Sequence, residues 1–341
     1  MAGRGCRATG PAADATLSTR RPAGTQAMKV IHWATLPLAR NEIAAAVSAL
    51  PGVQLAVVSG SAELEAAFPE ADGLIAANPT PADGAVLARL LQGRHRLRWL
   101  HLISAGMDGV GHCGLPPQIE VSCTPGATAQ AVSDHALALL FALLRGLPAA
   151  WELQRARRWD RARVAPRVTS IEDKTVVLLG YGAIGRHLHR VFDALGARVR
   201  IVSRSLPQAA GGAPAYRLAQ LGQALTGADV LVCAIALSES TEGLVDEAAL
   251  RCMNARGFLV NVARGTVVRR AALERCLCDG HLGGAGLDVT DPEPLADDDT
   301  LWSLPNLIVT PHYGGAGSPH AARRIAEAAA AAVRRRLPGA S

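Results

Sequence analysis

The chain has 341 residues, 49% apolar and 19% charged, with 34 Gly and 20 Pro; the length suits two globular domains and the composition excludes disorder as the main state. Only 4% of residues are aromatic, so the cores are built from Ala, Val, Leu and Ile, and the longest unbroken apolar run, 136–144, falls well short of the roughly 20 residues that a membrane span needs. The formal charge of +6 sits mostly at the ends, where Arg4, Arg7, Arg20 and Arg21 are balanced by Asp14 alone and Arg323, Arg324, Arg334, Arg335 and Arg336 by Glu327 alone; the body between is close to neutral, without the basic face that nucleic acid requires.

Residues 1–27, rich in Ala, Gly, Pro, Ser, Thr and Arg and lacking a long apolar segment, read as a disordered tail rather than a secretory leader. From Lys29 onward, short apolar runs alternate with helical stretches. Runs at 29–33, 54–58, 73–76, 97–103 and 119–121 are predicted strands, with helices such as 40–49 and 82–91 between them. This alternation predicts a parallel sheet covered on both faces. A long helix over 128–144 follows the turn Thr124-Pro125-Gly126. Next come Arg155, Arg157, Arg158, Arg161, Arg163 and Arg167 around Trp159 and Asp160, a charge run that marks a solvated or subunit-facing helical arm. A second series of runs, at 175–179, 198–203, 229–235, 258–262, 285–289 and 307–310, supplies the six strands of a complete dinucleotide-binding domain. The final Ala-rich helix, 319–337, is expected to dock back on the first sheet and leave a cleft between the two. Seven cysteines, an odd number without a CxxC pair, point to reduced thiols in a cytoplasm, and no metal site is expected. Cys276 and Cys278 point apart on a helix.

Gly180-Tyr181-Gly182-Ala183-Ile184-Gly185 leaves an apolar strand and opens a helix. In that context the first glycine permits a tight turn, the second lets backbone N–H groups approach a pyrophosphate, and the third lets helix and strand pack closely. The end of the following strand reads Ser203-Arg204-Ser205, with no carboxylate to accept hydrogen bonds from a ribose 2′-hydroxyl. Arg offers a 2′-phosphate a charge-assisted fork and Ser a hydroxyl donor, so NADP is expected over NAD. Three later strand ends carry chemistry: Arg264 in Asn261-Val262-Ala263-Arg264-Gly265, Glu293 between Pro292 and Pro294, and His312 in Thr310-Pro311-His312-Tyr313-Gly314-Gly315. Ligands bind at such ends in open α/β sheets.

At these residues the sequence resembles the D-isomer-specific 2-hydroxyacid dehydrogenases, the family of glyoxylate/hydroxypyruvate reductases and phosphoglycerate dehydrogenases. The resemblance runs from about Lys29 to Leu337 and includes the glycine fingerprint, Asn261 to Gly265, Gly286-Leu287-Asp288-Val289, Glu293-Pro294, Leu301-Trp302, Leu304-Pro305-Asn306 and Thr310-Pro311-His312. It implies an α/β fold of two doubly wound parallel-sheet domains. A Rossmann NAD(P)-binding domain (128–311) would be inserted into a flavodoxin-like substrate-binding domain (28–127 and 312–341). It also implies roles. Arg264 would hold the carboxylate and carbonyl oxygen of a 2-keto acid. His312 would protonate that oxygen as hydride reaches C2, and Glu293 would orient the imidazole and favour its charged form. Leu102-Ile103-Ser104-Ala105-Gly106-Met107-Asp108 matches the substrate loop, whose N–H groups at Ala105 and Gly106 would meet the anion. Ala234, Ile235, Val262, Ala263 and Asp288 would lie near nicotinamide and ribose, and Gly314 would bring backbone close to the cofactor. The resemblance further implies a homodimer, with the long helix and the arm 147–167 against a second copy.

Three positions depart from the family pattern: Cys123 where Asn is common, Asp134 for Glu, and Ala236 for Pro. None removes a catalytic group, but they bear on pocket shape and leave the substrate unnamed. The expected activity is reduction of a small 2-keto acid, of the glyoxylate or hydroxypyruvate type, to a D-2-hydroxy acid. Phosphoglycerate dehydrogenation is disfavoured, since no acidic residue occupies the cofactor position and no regulatory domain follows Leu337. The second reading is a dinucleotide-sensing interaction protein on the same scaffold, like the related corepressors.

Overall fold

The computed structural model describes residues 27–205 and 211–337; all of the expected tail except Ala27 lies outside the described residues. The chain opens with five parallel strands: β1 (Met28–Trp33), β2 (Val53–Val58), β3 (Gly73–Ala76), β4 (Trp99–Leu102) and β5 (Glu120–Cys123), paired in the order β2-β1-β3-β4-β5. Helices α1 (Arg40–Ser48), α2 (Ser61–Ala67) and α3 (Pro81–Gln92) provide crossovers. The start of α3 is written locally. The Thr80 hydroxyl accepts from the Asp83 N–H at 3.2 Å, the Asp83 carboxylate accepts from the Thr80 N–H at 3.1 Å, and Pro81 fits the first turn, a reciprocal cap. Gly73 stands opposite Trp99 in register, and a β-carbon there would collide with the indole.

Helix α4 (Ala129–Leu144) leads to a surface arm, α5 (Leu147–Arg155) and α6 (Arg161–Val164), which leaves Trp151 half exposed and Trp159 fully exposed. The second sheet follows: β6 (Thr175–Leu179), α7 (Ala183–Ala194), β7 (Arg198–Val202), β8 (Ala215–Tyr216), α8 (Leu221–Leu225), β9 (Val230–Cys233), α9 (Glu247–Arg251), β10 (Gly257–Asn261), α10 (Arg270–Cys278), β11 (Leu282–Leu287) and β12 (Leu307–Val309). Its strands, again all parallel, run β12-β11-β10-β9-β6-β7-β8. Seven strands replace the six expected. The extra one, β8, is two residues long and directly follows Pro214, too short for any periodicity to show.

Both sheets are α/β layers with apolar residues on both faces, as buried parallel strands demand. Along β6, Val176 and Leu178 face α4 and α7, whereas Val177 and Leu179 face the core under α8 to α10, the period-two alternation of a strand. The last helix, α11 (Pro319–Arg334), returns to the first sheet. Ser318 caps it at Ala321 N–H (3.2 Å), and its Ala322, Ile325, Ala326, Ala329 and Val333 pack with Ile43 and Val47 of α1. The chain thus crosses between the sheets twice, and the crossings touch where Gly315 lies against Thr128; Gly126 of the first crossing also lies against Ala183 at the start of α7. Arg324 of α11 ties the first crossing down by donating to the Ala127 carbonyl at 2.7 and 3.1 Å. No single helix among the described residues is long and apolar enough to cross a membrane.

Candidate active site

Strand order reverses between β6 and β9, and in open α/β sheets the crevice at such a reversal is where ligands bind. Gly180 leaves β6 at φ +107°, and a β-carbon there would collide with the Ala234 carbonyl at the end of β9. Glycine is required at that position. Gly185 packs so closely on the Gly180 carbonyl that a side chain would overlap it, whereas around Gly182 nothing lies within 4 Å of a β-carbon position. Gly182 is also the N-cap of α7 and offers no side chain to the first-turn N–H groups, so those donors face open space and suit an anion. Ala183 and Ile184 are half buried in that first turn. Tyr181 places its hydroxyl 2.7 Å from Nδ1 of His189, further along in α7. Ile235, Val262 and Ala263 are buried at the ends of β9 and β10, and Ala234 is half buried beside them.

The end of β7 carries Ser203 and Arg204. Arg204 is exposed, while Ser203 is buried and its hydroxyl donates to the Ser205 carbonyl. Ser203 thus spends its proton on its own turn, and Arg204 is the group directed at solvent.

Arg264 projects from a turn built by its neighbours. The buried Asn261 side chain accepts from the Ala263 N–H (3.0 Å) and donates to the Arg264 carbonyl (2.9 Å). Gly265 packs on the Thr290 carbonyl so tightly that any β-carbon would overlap it, which brings the Arg264 turn against the loop that bears Glu293. Glu293 is fixed in turn, with Oε1 accepting from the Thr290 N–H at 2.9 Å and Oε2 standing 2.9 Å from His312 Nδ1. His312 adopts a left-handed conformation, φ +49°, uncommon for a residue with a side chain and of order 1–3 kcal/mol uphill. Asp288, 3% exposed, holds that turn, its carboxylate accepting from Thr310 Oγ1 (2.7 Å), Tyr313 N–H (3.1 Å) and Gly314 N–H (2.9 Å). The space at Gly314 is filled by the Asp288 and His135 side chains.

Electrostatics tie these groups together. The Glu293 hydrogen bond raises His312 above its ordinary value, with help from the Glu293 and Asp288 charges, against burial and the Arg264 charge. Burial works to raise the Glu293 carboxyl, but the bond and charge of His312, the Thr290 N–H and Arg264 outweigh it and hold the group below its ordinary range. Arg264 therefore acts on both members of the pair. A half-exposed His⁺ beside a carboxylate, with a guanidinium nearby, can donate a proton to an oxygen whose negative charge that guanidinium neutralises.

The first sheet faces this group through the loop after β4. Ala105 is exposed and Gly106 half buried, and among the described residues neither N–H has an acceptor. Two residues given no role from sequence join the site. Asp108 pairs with Arg264 at 3.0 Å, and His135 of α4 lies 2.9 Å from Thr310 Oγ1 and 3.2 Å from Asp288 Oδ1. Asp108 stands in the substrate-loop motif itself. The only sequence signal for His135 is a polar residue on a largely buried apolar helix.

Residues 137–314 match the family model described as "D-isomer specific 2-hydroxyacid dehydrogenase, NAD binding domain". The chain is 33% identical over 278 residues to the D-3-phosphoglycerate dehydrogenase of Mycobacterium tuberculosis, covering 81% of this chain and 51% of that one. It is 35% identical over 203 residues to the glyoxylate reductase of Thermococcus kodakarensis, covering 58% and 61%. The chain thus spans about half the length of the mycobacterial relative and three fifths of the archaeal one. Among solved structures, the NADPH-dependent glyoxylate/hydroxypyruvate reductase of Sinorhizobium meliloti, in complex with NADP and malonate, superposes with a TM-score of 0.74 at 25% identity, covering 92% of this chain and 94% of that one.

Proposed function

Because the chain belongs to the D-isomer specific 2-hydroxyacid dehydrogenase family, we propose that it reduces a small 2-keto acid, of the glyoxylate or hydroxypyruvate type, to the D-2-hydroxy acid and catalyses the reverse, with NADP(H) preferred. The observation that carries this reading is the His312–Glu293 pair, 2.9 Å apart, within the field of Arg264. The glycine cradle fits a dinucleotide: Gly182 is open, and the uncapped N-terminus of α7 suits a pyrophosphate. A nicotinamide dinucleotide bound there supplies hydride to a carbonyl carbon. Arg264 holds the keto acid by its carboxylate and carbonyl oxygen, and the loop N–H groups of Ala105 and Gly106 take the far side of the anion. His312 gives its proton to the carbonyl oxygen, and Glu293 keeps the ring oriented and charged until that moment. In the reverse direction His312 takes the proton back.

The division into 28–127 with 312–341 and 128–311 belongs to the same proposal, with the substrate held between the two parts. So do a homodimer built on α4 and the arm, and a reducing, cytoplasmic setting for the free thiols of the six described cysteines. Arg204 supports the cofactor preference, since an exposed guanidinium at the end of β7 can meet a 2′-phosphate, whereas a carboxylate there would repel it. Steady-state kcat/KM for glyoxylate, hydroxypyruvate, pyruvate and bulkier keto acids, with NADPH and with NADH, tests the whole reading. NADPH should be favoured, and Arg204→Ala should cut its kcat/KM about tenfold or more while leaving NADH little changed. Dinucleotide binding without turnover on any keto acid overturns the proposal.

A further inference from the structure

Asp108 and Arg264 lie 156 residues apart in sequence, on loops from different sheets. Their contact is a side-on fork: Arg264 Nε lies 3.2 and 3.1 Å from the two Asp108 oxygens, and Nη2 lies 3.0 Å from Oδ1. Nη1 donates to the Ala263 carbonyl at 2.8 Å. A guanidinium has five N–H groups, so these contacts leave one on Nη1 and one on Nη2, the adjacent end-on edge of the same plane, which shares Nη2 with the edge that Asp108 grips. That edge has the spacing of a second carboxylate.

The loop is shaped for this contact. A β-carbon at Gly106 would collide with Arg264 Nη2 and come within 3.0 Å of Asp108 Oδ1, so the guanidinium lies flat on the loop because residue 106 has no side chain. Gly109 in turn donates to Asn78 Oδ1 at 3.1 Å and packs on the Pro79 carbonyl, which fixes Asp108 from behind. Against its burial, Arg264, with help from Asn78, holds the Asp108 carboxyl below its ordinary range.

We propose that Asp108 is the positioning residue for Arg264: it grips the Nε/Nη2 edge and thereby turns the Nη1/Nη2 edge to the carboxylate of the keto acid. The inference rests on the reading of the site as a 2-keto acid reductase. It also gives Gly106 a second duty, as the gap that admits the guanidinium. Binding of the acid does not require Asp108 to leave, since the two carboxylates use different edges. Loss of the grip frees the guanidinium to rotate, which weakens the acid in both ground and transition states.

Asp108→Asn keeps the shape and removes the charge. Relative to wild type, KM for glyoxylate should rise about tenfold or more and kcat should fall with it. NADPH affinity, read by fluorescence, and Tm should stay close to wild type. Asp108→Glu, which restores a carboxylate on a longer arm, should recover part of the loss. Oxalate gives a readout without turnover: it should raise the Tm of the NADPH-loaded wild type and raise that of Asp108→Asn much less. A lowered KM in Asp108→Asn overturns the proposal, because Asp108 would then compete with substrate for Arg264. Equal oxalate shifts, or losses of NADPH affinity and Tm as large as the loss of activity, overturn it too. No turnover by wild type, with an oxalate response that depends on Asp108, refutes the assigned reaction and leaves the positioning role standing.

Discussion

His312 illustrates how much of the site is decided by single contacts. Its proton is held by one carboxylate oxygen at 2.9 Å, and its backbone is held in a left-handed turn by one buried aspartate. In the proposed reaction, reduction of the keto acid needs the charged ring. Since the folded-state value lies above 6.5, kcat/KM for reduction should be full at low pH and fall as pH rises through the raised value. Glu293→Gln removes the main cause of that rise, so the falling limb should move to lower pH; an unmoved limb in the pH profile assigns it to another group. His312→Ala should lose roughly 10²- to 10⁴-fold in kcat with NADPH affinity unchanged. Arg264, Glu293 and His312 were legible in the sequence because each stands in a short stretch punctuated by Gly or Pro at the end of an apolar run. Asp108 and His135 were not, since their partners lie 156 and 175 residues away and no local pattern encodes a contact at that separation.

At the scale of elements, apolar runs located the five strands of the first sheet, and the reciprocal Thr80/Asp83 cap shows how little was needed to start α3. What the runs could not show was which polar residues a strand would bury. His32 of β1 and His101 of β4 stand in one row across the sheet, each beside Ile75 of β3, and each is 1% exposed. Burial, aided by the Arg40 charge, pushes His32 down to about 4; burial, with Arg336 and Arg335, does the same to His101. Ser122 and Thr124 hydroxyls flank the His101 nitrogens at 2.9 and 3.0 Å. Both rings are therefore neutral in the folded sheet. A depressed base contributes stability that is fully present above the unfolded value near 6.5 and is lost as pH falls toward about 4, on the order of 3 kcal/mol for each ring. Tm should accordingly be flat above pH 7 and fall across pH 6.5 to 4. His32→Gln should make that fall shallower, and an unchanged slope in calorimetry speaks against the assignment. The short β8 escaped the sequence for the opposite reason: its pairing with β7 is two residues long and owes nothing to a local pattern.

For the whole molecule, the return of the chain to its first sheet was legible from an Ala-rich helix with one apolar stripe, but the nearness of the two crossings was not. Gly315 and Thr128 meet with β-carbon positions 3.4 Å apart, close to disulfide range. In the proposed reaction the keto acid meets Arg264 and His312 from the second sheet and the Ala105–Gly106 loop from the first, so a closure that brings them together would be a rotation of one sheet layer against the other about this point. A disulfide joining Thr128→Cys to Gly315→Cys ties atoms at the pivot and should leave kcat near the reduced protein's value; a large, reversible loss on oxidation places the pivot elsewhere. Because the backbone passes through this waist twice, severing the first crossing leaves α11, which follows the second, still packed on the first sheet. A chain nicked at the first crossing becomes two pieces, but α11 on the second piece stays packed against α1 of the first, so it should run as two bands on a denaturing gel while remaining a single dinucleotide-binding particle in solution. The first half would lose its fixed bearing on the second rather than its attachment to it.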